Sequence, residues 1–431
     1  MPVIQKQLVV AVALALLATS AQNSHARGDM EAHSERLSAS KKGYNPPVSS
    51  KPVKGFHFSN HATSHNGLSV ARTLDSAVKA LWESGDLTDW EKYELAKFGQ
   101  ALGKLEPGQL GAALEQLAGT QNANLASATQ NSQQQLSATL LAAMCQLSDT
   151  PSDESRLWLQ GLGNSGQLDS QHGSTGLQQR TQGLLLGADW AVDHAWRIGV
   201  TGGKSSSDLS TRHFKGAIDS WHLGGYAVRQ DGPFALRLGA LYSDHAGQNR
   251  RGVDLLNYRE QLKGSYNATS QNAFAEFGYQ LDHGTLKTEP FASLGYQRYH
   301  RDRFKETGGY TALDVHGQTQ QNMNSILGLR LAGDFPLDNQ MSLQPHLSAS
   351  WKHLYGEVDS SVRQSSAWAR RADFNSDFTV QGTALDRDTL ALRTGLDLAL
   401  SSEHTLGVAY TAALGSNSRS QGLTGQWRIA F

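Results

Sequence analysis

From Arg156 to Phe431 apolar and polar residues alternate with a period of two, in segments of roughly ten residues or more separated by polar turns. A two-residue period is that of a β-strand with one apolar face. In the final segment Phe431, Ile429, Trp427, Gly425 and Leu423 share one parity, and Ala430, Arg428, Gln426, Thr424 and Gly422 the other. Earlier segments repeat the pattern. Phe234, Leu236, Leu238 and Tyr242 stand opposite Arg237, Gly239 and Ser243. Ala273, Ala275, Phe277 and Tyr279 stand opposite Asn272, Glu276 and Gly278. Leu327, Leu329 and Leu331 stand opposite Gly328 and Arg330, and Leu390, Leu392, Leu396 and Leu398 opposite Arg393, Gly395 and Asp397. The count is about twelve antiparallel strands, and an even number is expected of a barrel that enters and leaves on one side of a membrane.

Before Arg156 the period changes. Val70, Leu74, Val78 and Leu81 are spaced for a helix. Leu95, Phe98, Leu102 and Leu105 mark a second, opened by Asp86 and Asp89 around a cap at Thr88. Pro107 can start a third helix and Gly119 can end it. Gln121–Leu147 is rich in Ala, Ser, Gln and Asn and contains no Gly, Pro or charged residue. As a helix it is ~40 Å long, enough to cross a hydrocarbon layer ~30 Å thick. A surface helix normally carries Glu and Lys, so small uncharged polar side chains predict a helix threading a narrow, wet lumen.

Leu8–Ala18, preceded by Lys6 and followed by small residues up to Ala21 and Ala26, reads as a secretory signal. The expected layout is a signal peptide over 1–26, a polar, disordered tract over 27–66, a small helical unit over 67–120, the lumen helix over 121–150 and the barrel over 151–431. No apolar run is long enough for a transmembrane helix. An exported, glycine-rich chain (43 Gly, 10 Pro) with alternating strands therefore predicts an outer-membrane barrel. The net charge of −1 argues against nucleic acid as a partner. Cys145 is the single cysteine, so no internal disulfide exists, and it reads as a small apolar residue.

A soluble β-sandwich also alternates, but twelve strands of this length would make an unusually large one. Trp190, Trp196, Tyr242, Tyr279, Trp351, Tyr410 and Trp427 fall near strand ends, as membrane-interface girdles do. Short connections at 230–232, 282–284 and 401–403 alternate with long ones at 247–264, 303–315 and 358–377, as periplasmic turns alternate with outer loops. Arg237, Glu276, Arg330, Arg393, Asp397 and Arg428 share the polar parity and are the candidates to line the lumen and bond the Gln and Asn side chains of the helix.

No G-x-S-x-G elbow, Walker loop, H-E-x-x-H or C-x-x-C occurs, so neither catalysis nor a cofactor is expected. Asp244, His245, His300 and Asp302 are read as outer-loop residues. His57, His61 and His65 have the spacing of one helix face but no acidic partner, and metal binding is not expected.

The order of these elements resembles the translocator of a classical (type V) autotransporter, over about Leu68–Phe431. Val70-Ala-Arg-Thr-Leu-Asp and Leu110-Gly-Ala-Ala-Leu-Glu-Gln-Leu-Ala-Gly look like the family's segment before the barrel. Arg156-Leu-Trp-Leu-Gln-Gly-Leu-Gly looks like its first strand and Arg180-Thr-Gln-Gly-Leu-Leu-Leu-Gly-Ala-Asp its second. The ending Gly425-Gln-Trp-Arg-Ile-Ala-Phe431 resembles the terminal strand recognised by the barrel-assembly machinery, with Trp427, Ile429 and Phe431 as its signal. The resemblance implies export by the Sec machinery, escort by periplasmic chaperones, an outer-membrane lipid environment, and export or display of the chain's own N-terminal segment. That segment is very short for the family, since only about Arg27–Leu117 is available to serve as passenger. Where some members cut their lumen helix at an Asn-Asn pair, this chain has Asn122-Ala123-Asn124, so self-cleavage is not expected. A barrel-anchored adhesin and a plugged pore are the alternative readings.

Overall fold

The computed structural model describes residues 57–83, 89–146, 154–256, 258–337, 341–367 and 376–431. The expected signal peptide, the tract before His57 and the Thr88 cap lie outside these residues. Two compact units are distinguished. Lys51–Leu87 with Leu95–Phe431 holds the barrel and most of the helices, and of Met1–Ser50 with Thr88–Glu94 only the start of one helix is described.

Twelve antiparallel strands close into a barrel. They are β1 (Arg156–Leu168), β2 (Leu177–Ala191), β3 (Trp196–Ser210), β4 (Phe214–Asp231), β5 (Phe234–Leu255) and β6 (Tyr258–Tyr279), then β7 (Leu286–Arg301), β8 (Gln318–Gly333), β9 (Ser342–Gly356), β10 (Asp388–Ala399), β11 (His404–Gly415) and β12 (Ser418–Ala430). Each pairs with its sequence neighbours, and β12 pairs with β1 to close the ring in the register Arg156↔Ala430 through Leu168↔Ser418. Ser155 and Phe431 exchange both backbone hydrogen bonds at 2.9 Å just beyond that seam, which leaves no sheet edge.

The alternation read from the sequence is the inside–outside alternation of this wall. Leu184, Leu223, Leu294, Leu327, Leu390 and Leu423 face outward and are more than half exposed, an inversion of a soluble protein that only a lipid surround accommodates. Trp190, Tyr242, Tyr279, Trp351, Tyr410 and Trp427 share that face. On the inner face glycine makes room for aromatics. Gly187 lies opposite Trp158 and Gly199 opposite Tyr226 across the ladder, and a Cβ on either glycine would stand 2.1 and 2.2 Å from the facing ring.

β5 and β6 have 22 residues each, against 13 in β1. The 247–264 stretch is therefore not a long loop, as its polarity suggests, but the top of a tall hairpin. Strand pairing continues above the membrane, where the outer face no longer has to be apolar, so the hydropathy alternation fades while the ladder persists. The other two long connections pair with each other. Phe304–Lys305, Leu313–Val315, Ser361–Ser366 and Phe378–Gln381 form a second sheet of four strands at the same, outer end.

The helices are α1 (His65–Glu83), α2 (Asp89–Gly103), α3 (Pro107–Ala118) and α4 (Gln121–Cys145), preceded by a 3₁₀ turn at Phe58–His61. α3 is bounded as its sequence predicts, with Pro107 in the first turn and Gly119 ending the helix at φ 58°; the structure adds a capping box formed by Glu106 and Gln109. Phe58, Val70, Leu102 and Leu114 pack with Tyr258, Leu262 and Val315 into one core at the outer mouth. His57–Asn66, which polarity alone assigns to the disordered tract, belongs to this fold: Phe58 is buried in the core, and Asn66 is fully buried. Its side-chain amide donates to the Gln381 carbonyl at 2.7 Å and accepts from the Gln381 N–H at 2.8 Å, as a neighbouring strand would. Polar residues here are structural because they complete a sheet edge.

Candidate functional site

α4 threads the lumen. Its C-terminus lies at the end of the barrel where β1 begins and β12 ends, and its N-terminus at the outer mouth. Three zones hold it.

At the outer mouth every residue from Gln121 to Gln130 is buried. Asn124 donates to Gln121 and Ser174, both at 2.9 Å, and accepts from the Thr383 N–H at 2.7 Å. Asn122 donates to Gln364 at 3.2 Å and accepts from Asn249 at 3.1 Å. Ser127 donates to the Thr383 carbonyl at 2.9 Å, and Ser360 to the Ala123 carbonyl at 2.6 Å. The partners come from the β1–β2 connection, the tall hairpin and the β9–β10 connection.

In the middle, uncharged polar groups meet the wall. Gln133 accepts from Ser243 at 3.0 Å and Asn272 at 3.3 Å, and Gln135 donates to Ser420 at 2.9 Å. Ser243 also bonds His222, which reaches Ser205 on its other ring nitrogen. A cavity of about 310 Å³ remains beside Gln134, Ala138 and Ala142, facing Ser293, Lys352 and Arg393. Toward the C-terminus Leu136, Leu140 and Met144, spaced by four, pack on Trp158, Leu185 and Tyr226.

At the inner end the charges gather. Arg237 and Arg330 face Glu276 and Glu289 on the four consecutive strands β5 to β8. Arg237 donates to Glu276 Oε1 at 3.1 Å and to both Glu289 oxygens at 2.7 and 2.9 Å. Arg330 donates to both Glu276 oxygens at 2.8 and 2.7 Å and to Glu289 Oε1 at 2.7 Å. Its guanidinium also lies 3.7 Å from the centre of the Phe291 ring. Two cations and two anions neutralise one another with forked geometry, which is the condition for holding charge inside a wall. Across the lumen Asp397 accepts from Gln146 and Gln426, both at 2.7 Å, and from Arg428 at 3.4 Å. Arg428 and Arg156 both donate to the Gln146 carbonyl, placing cations on the negative end of the helix dipole.

All six lumen candidates thus sit on the inner face. Arg237, Glu276 and Arg330 come together in one cluster and Asp397 with Arg428 in another, whereas Arg393 lines the cavity without an ion pair among the described residues. The six candidates leave out Glu289, Arg156 and the buried Asp189–Arg197 pair, although each shares the inward parity of its strand. Trp427 and Phe431 point outward, with Trp427 opposite Leu159 and Leu406. Asp244 and His245 belong to β5 and face opposite sides of the wall, and His300 lies in β7. Of the four residues read as outer-loop residues, His300 and Asp302 pair at 3.4 Å on the outer face, whereas His245 is buried on the inner face.

The family model described as the autotransporter β-domain matches residues 157–411. Two extracellular serine proteases of Serratia marcescens are 31% identical over 340 and 336 residues; the matches cover 76% and 74% of this chain and 32% and 31% of theirs. The chain thus spans about a third of the length of these curated relatives, and the matched share is large enough to reach back beyond α4. The translocator domain of the autotransporter NalP from Neisseria meningitidis has the same fold, with a TM-score of 0.57 at 17% identity, covering 70% of this chain and 98% of that one. A closed twelve-strand wall, a polar helix in its lumen and these matches lead to one conclusion: the chain belongs to the autotransporter β-domain family, and it is a Gram-negative outer-membrane protein of the type V secretion class.

Proposed function

We propose that this chain translocates its own N-terminal residues to the cell surface and keeps the 3₁₀ turn, α1, residues 95–103 of α2, and α3 there as a docked outer cap. The observation that carries the reading is the path of α4, which runs from the cap at the outer mouth to β1 at the inner end inside a closed wall. The similarity to the Serratia relatives reaches back through at least α3, which supports treating that helix as part of the translocator rather than as free cargo. Those relatives are named as proteases. Only their translocator is carried over, and no covalent step is assigned to this chain.

In this reading the Sec machinery exports the precursor, periplasmic chaperones keep it unfolded, and the barrel-assembly machinery recognises Trp427, Ile429 and Phe431. Asp397, Arg428 and Arg156 hold the inner end of the helix through Gln146 once transport is over, beside the neutral cluster of Arg237, Glu276, Glu289 and Arg330. The test is protease shaving of intact cells that carry an epitope after Arg27. Loss of the epitope with the barrel intact supports display. An epitope protected until the outer membrane is broken overturns it.

The cavity beside α4 favours one second reading, a plugged pore. If α4 only plugs, deleting 121–145 raises conductance in planar bilayers without changing where the N-terminus lies.

A further inference from the structure

On the outward face of the tall hairpin and its neighbour, Lys215 of β4 stands directly opposite Arg250 of β5, which stands directly opposite Lys263 of β6. All three side chains are exposed. Like charges facing one another across a ladder are destabilising, and strands β4 to β6 carry two such pairs in one row. No carboxylate among the described residues ion-pairs with any of the three. Of the acids on this face, Asp254 pairs with Arg259 at 3.0 Å and Asp302 with His300 at 3.4 Å, Asp208 stands opposite Arg180, and Asp219 lies four residues down β4 from Lys215. Adjacent strands are ~4.8 Å apart, so the row is a strip of positive charge with a repeat close to the spacing of strands. Neutral hydrogen-bonding groups border it, with Gln248 and Ser265 on one side and Gln261 on the other.

The height of the row selects its partner. Tyr242 marks the outer girdle on β5, and Arg250 is eight residues further along the strand. At ~3.3 Å per residue and a strand tilt of ~40°, the row stands ~20 Å above the girdle. That is beyond the acyl chains and the phosphates nearest them, at the level of the sugars that the outer-leaflet glycolipid carries. We propose that Lys215, Arg250 and Lys263 form a docking row for the phosphorylated core oligosaccharide of the glycolipid in which the barrel stands. The three cations take the sugar phosphates, and Gln248, Gln261 and Ser265 take hydroxyls. The assignment depends on the outer-membrane location and not on the display reading.

The experiment uses the full chain folded in detergent micelles and a fluorescent core oligosaccharide released from the glycolipid, measured by anisotropy at low salt. A second batch of the oligosaccharide is stripped of phosphate with aqueous hydrogen fluoride. The triple variant Lys215→Gln, Arg250→Gln and Lys263→Gln changes only exposed side chains, and heat-modifiable mobility checks that its barrel is closed. The expected result is at least tenfold weaker binding by the triple variant, equally weak binding of the stripped sugar by the native chain, and loss of binding as salt rises. Unchanged binding by a closed triple variant overturns the proposal. So does competition by inorganic phosphate at equal concentration, which would mean that the row reads phosphate alone. A short DNA duplex that binds as tightly as the oligosaccharide would overturn it too, as a general affinity for polyanions.

Discussion

Arg237 on β5 and Glu289 on β7 are joined by two hydrogen bonds, at 2.7 and 2.9 Å, although β6 lies between them. The intervening strand contributes Glu276, which bonds both Arg237 and Arg330, so four side chains on four strands form one neutral unit. Removing one member strands its partners' charge. Glu289→Ala is expected to destabilise the barrel by ~3–5 kcal/mol, in the range for breaking a buried pair from one side. Glu276→Ala likewise removes three of the six Arg–Glu bonds and leaves each arginine one carboxylate, so it is expected to cost a similar amount. Urea unfolding in micelles, followed by tryptophan fluorescence, ranks them.

Trp158 occupies the space that a side chain on Gly187 would need. Gly187→Val is expected to destabilise the closed barrel by the ~1–3 kcal/mol typical of an overpacked core. Trp158→Gly in the same chain should restore closure, because it empties the site the valine enters. Heat-modifiable mobility of the single and double variants decides it, and failure of the rescue would mean that Gly187 matters for its backbone instead.

Asn124 ties α4 to the β1–β2 and β9–β10 connections at once. Asn124→Ala leaves the buried Thr383 N–H without its acceptor, a loss of ~1–3 kcal/mol. The expected outcome is faster proteolytic nicking near Thr383 with the barrel strands unaffected, read by mass spectrometry of the fragments.

Glu115 meets the Ser64 hydroxyl and the Gly67 N–H under α1, outside the membrane-spanning segments. Burial is the larger influence and raises its pKa; the two hydrogen bonds oppose it. An acid with a raised folded pKa stabilises the fold below its ordinary titration range, and that contribution is lost as pH rises through the raised value. Glu115→Gln should match the native chain in acid and resist protease better at neutral pH. Equal cleavage rates of the cap at both pH values in the two proteins would refute this.

Phe431 closes the seam with Ser155 through its backbone and presents its ring outward. Phe431→Ala keeps the backbone bonds and removes the ring. It is expected to reduce the amount of barrel assembled in cells while leaving the stability of the barrel that does form nearly unchanged. Quantifying heat-modifiable protein in isolated outer membranes separates the two effects, and unchanged levels would remove Phe431 from the assembly signal.

By itself the sequence determined the wall. A two-residue period fixes which side chains face lipid, because one peptide step turns every side chain over, and this put Leu423 and Trp427 outside and Gln426 and Arg428 inside before any contact was known. It also determined α4, because a long run of Ala, Ser, Gln and Asn without Gly, Pro or charge has few other places to go. What period cannot encode is partnership. That Glu289 joins Arg237, that Asn66 completes the edge at Gln381, and that Lys215, Arg250 and Lys263 form a row all depend on strand register, which sets heights between segments far apart in sequence. The same holds for the 247–264 hairpin. Lipid imposes the alternation and ends at the membrane surface, whereas backbone pairing continues above it, and only the tertiary structure decides how far.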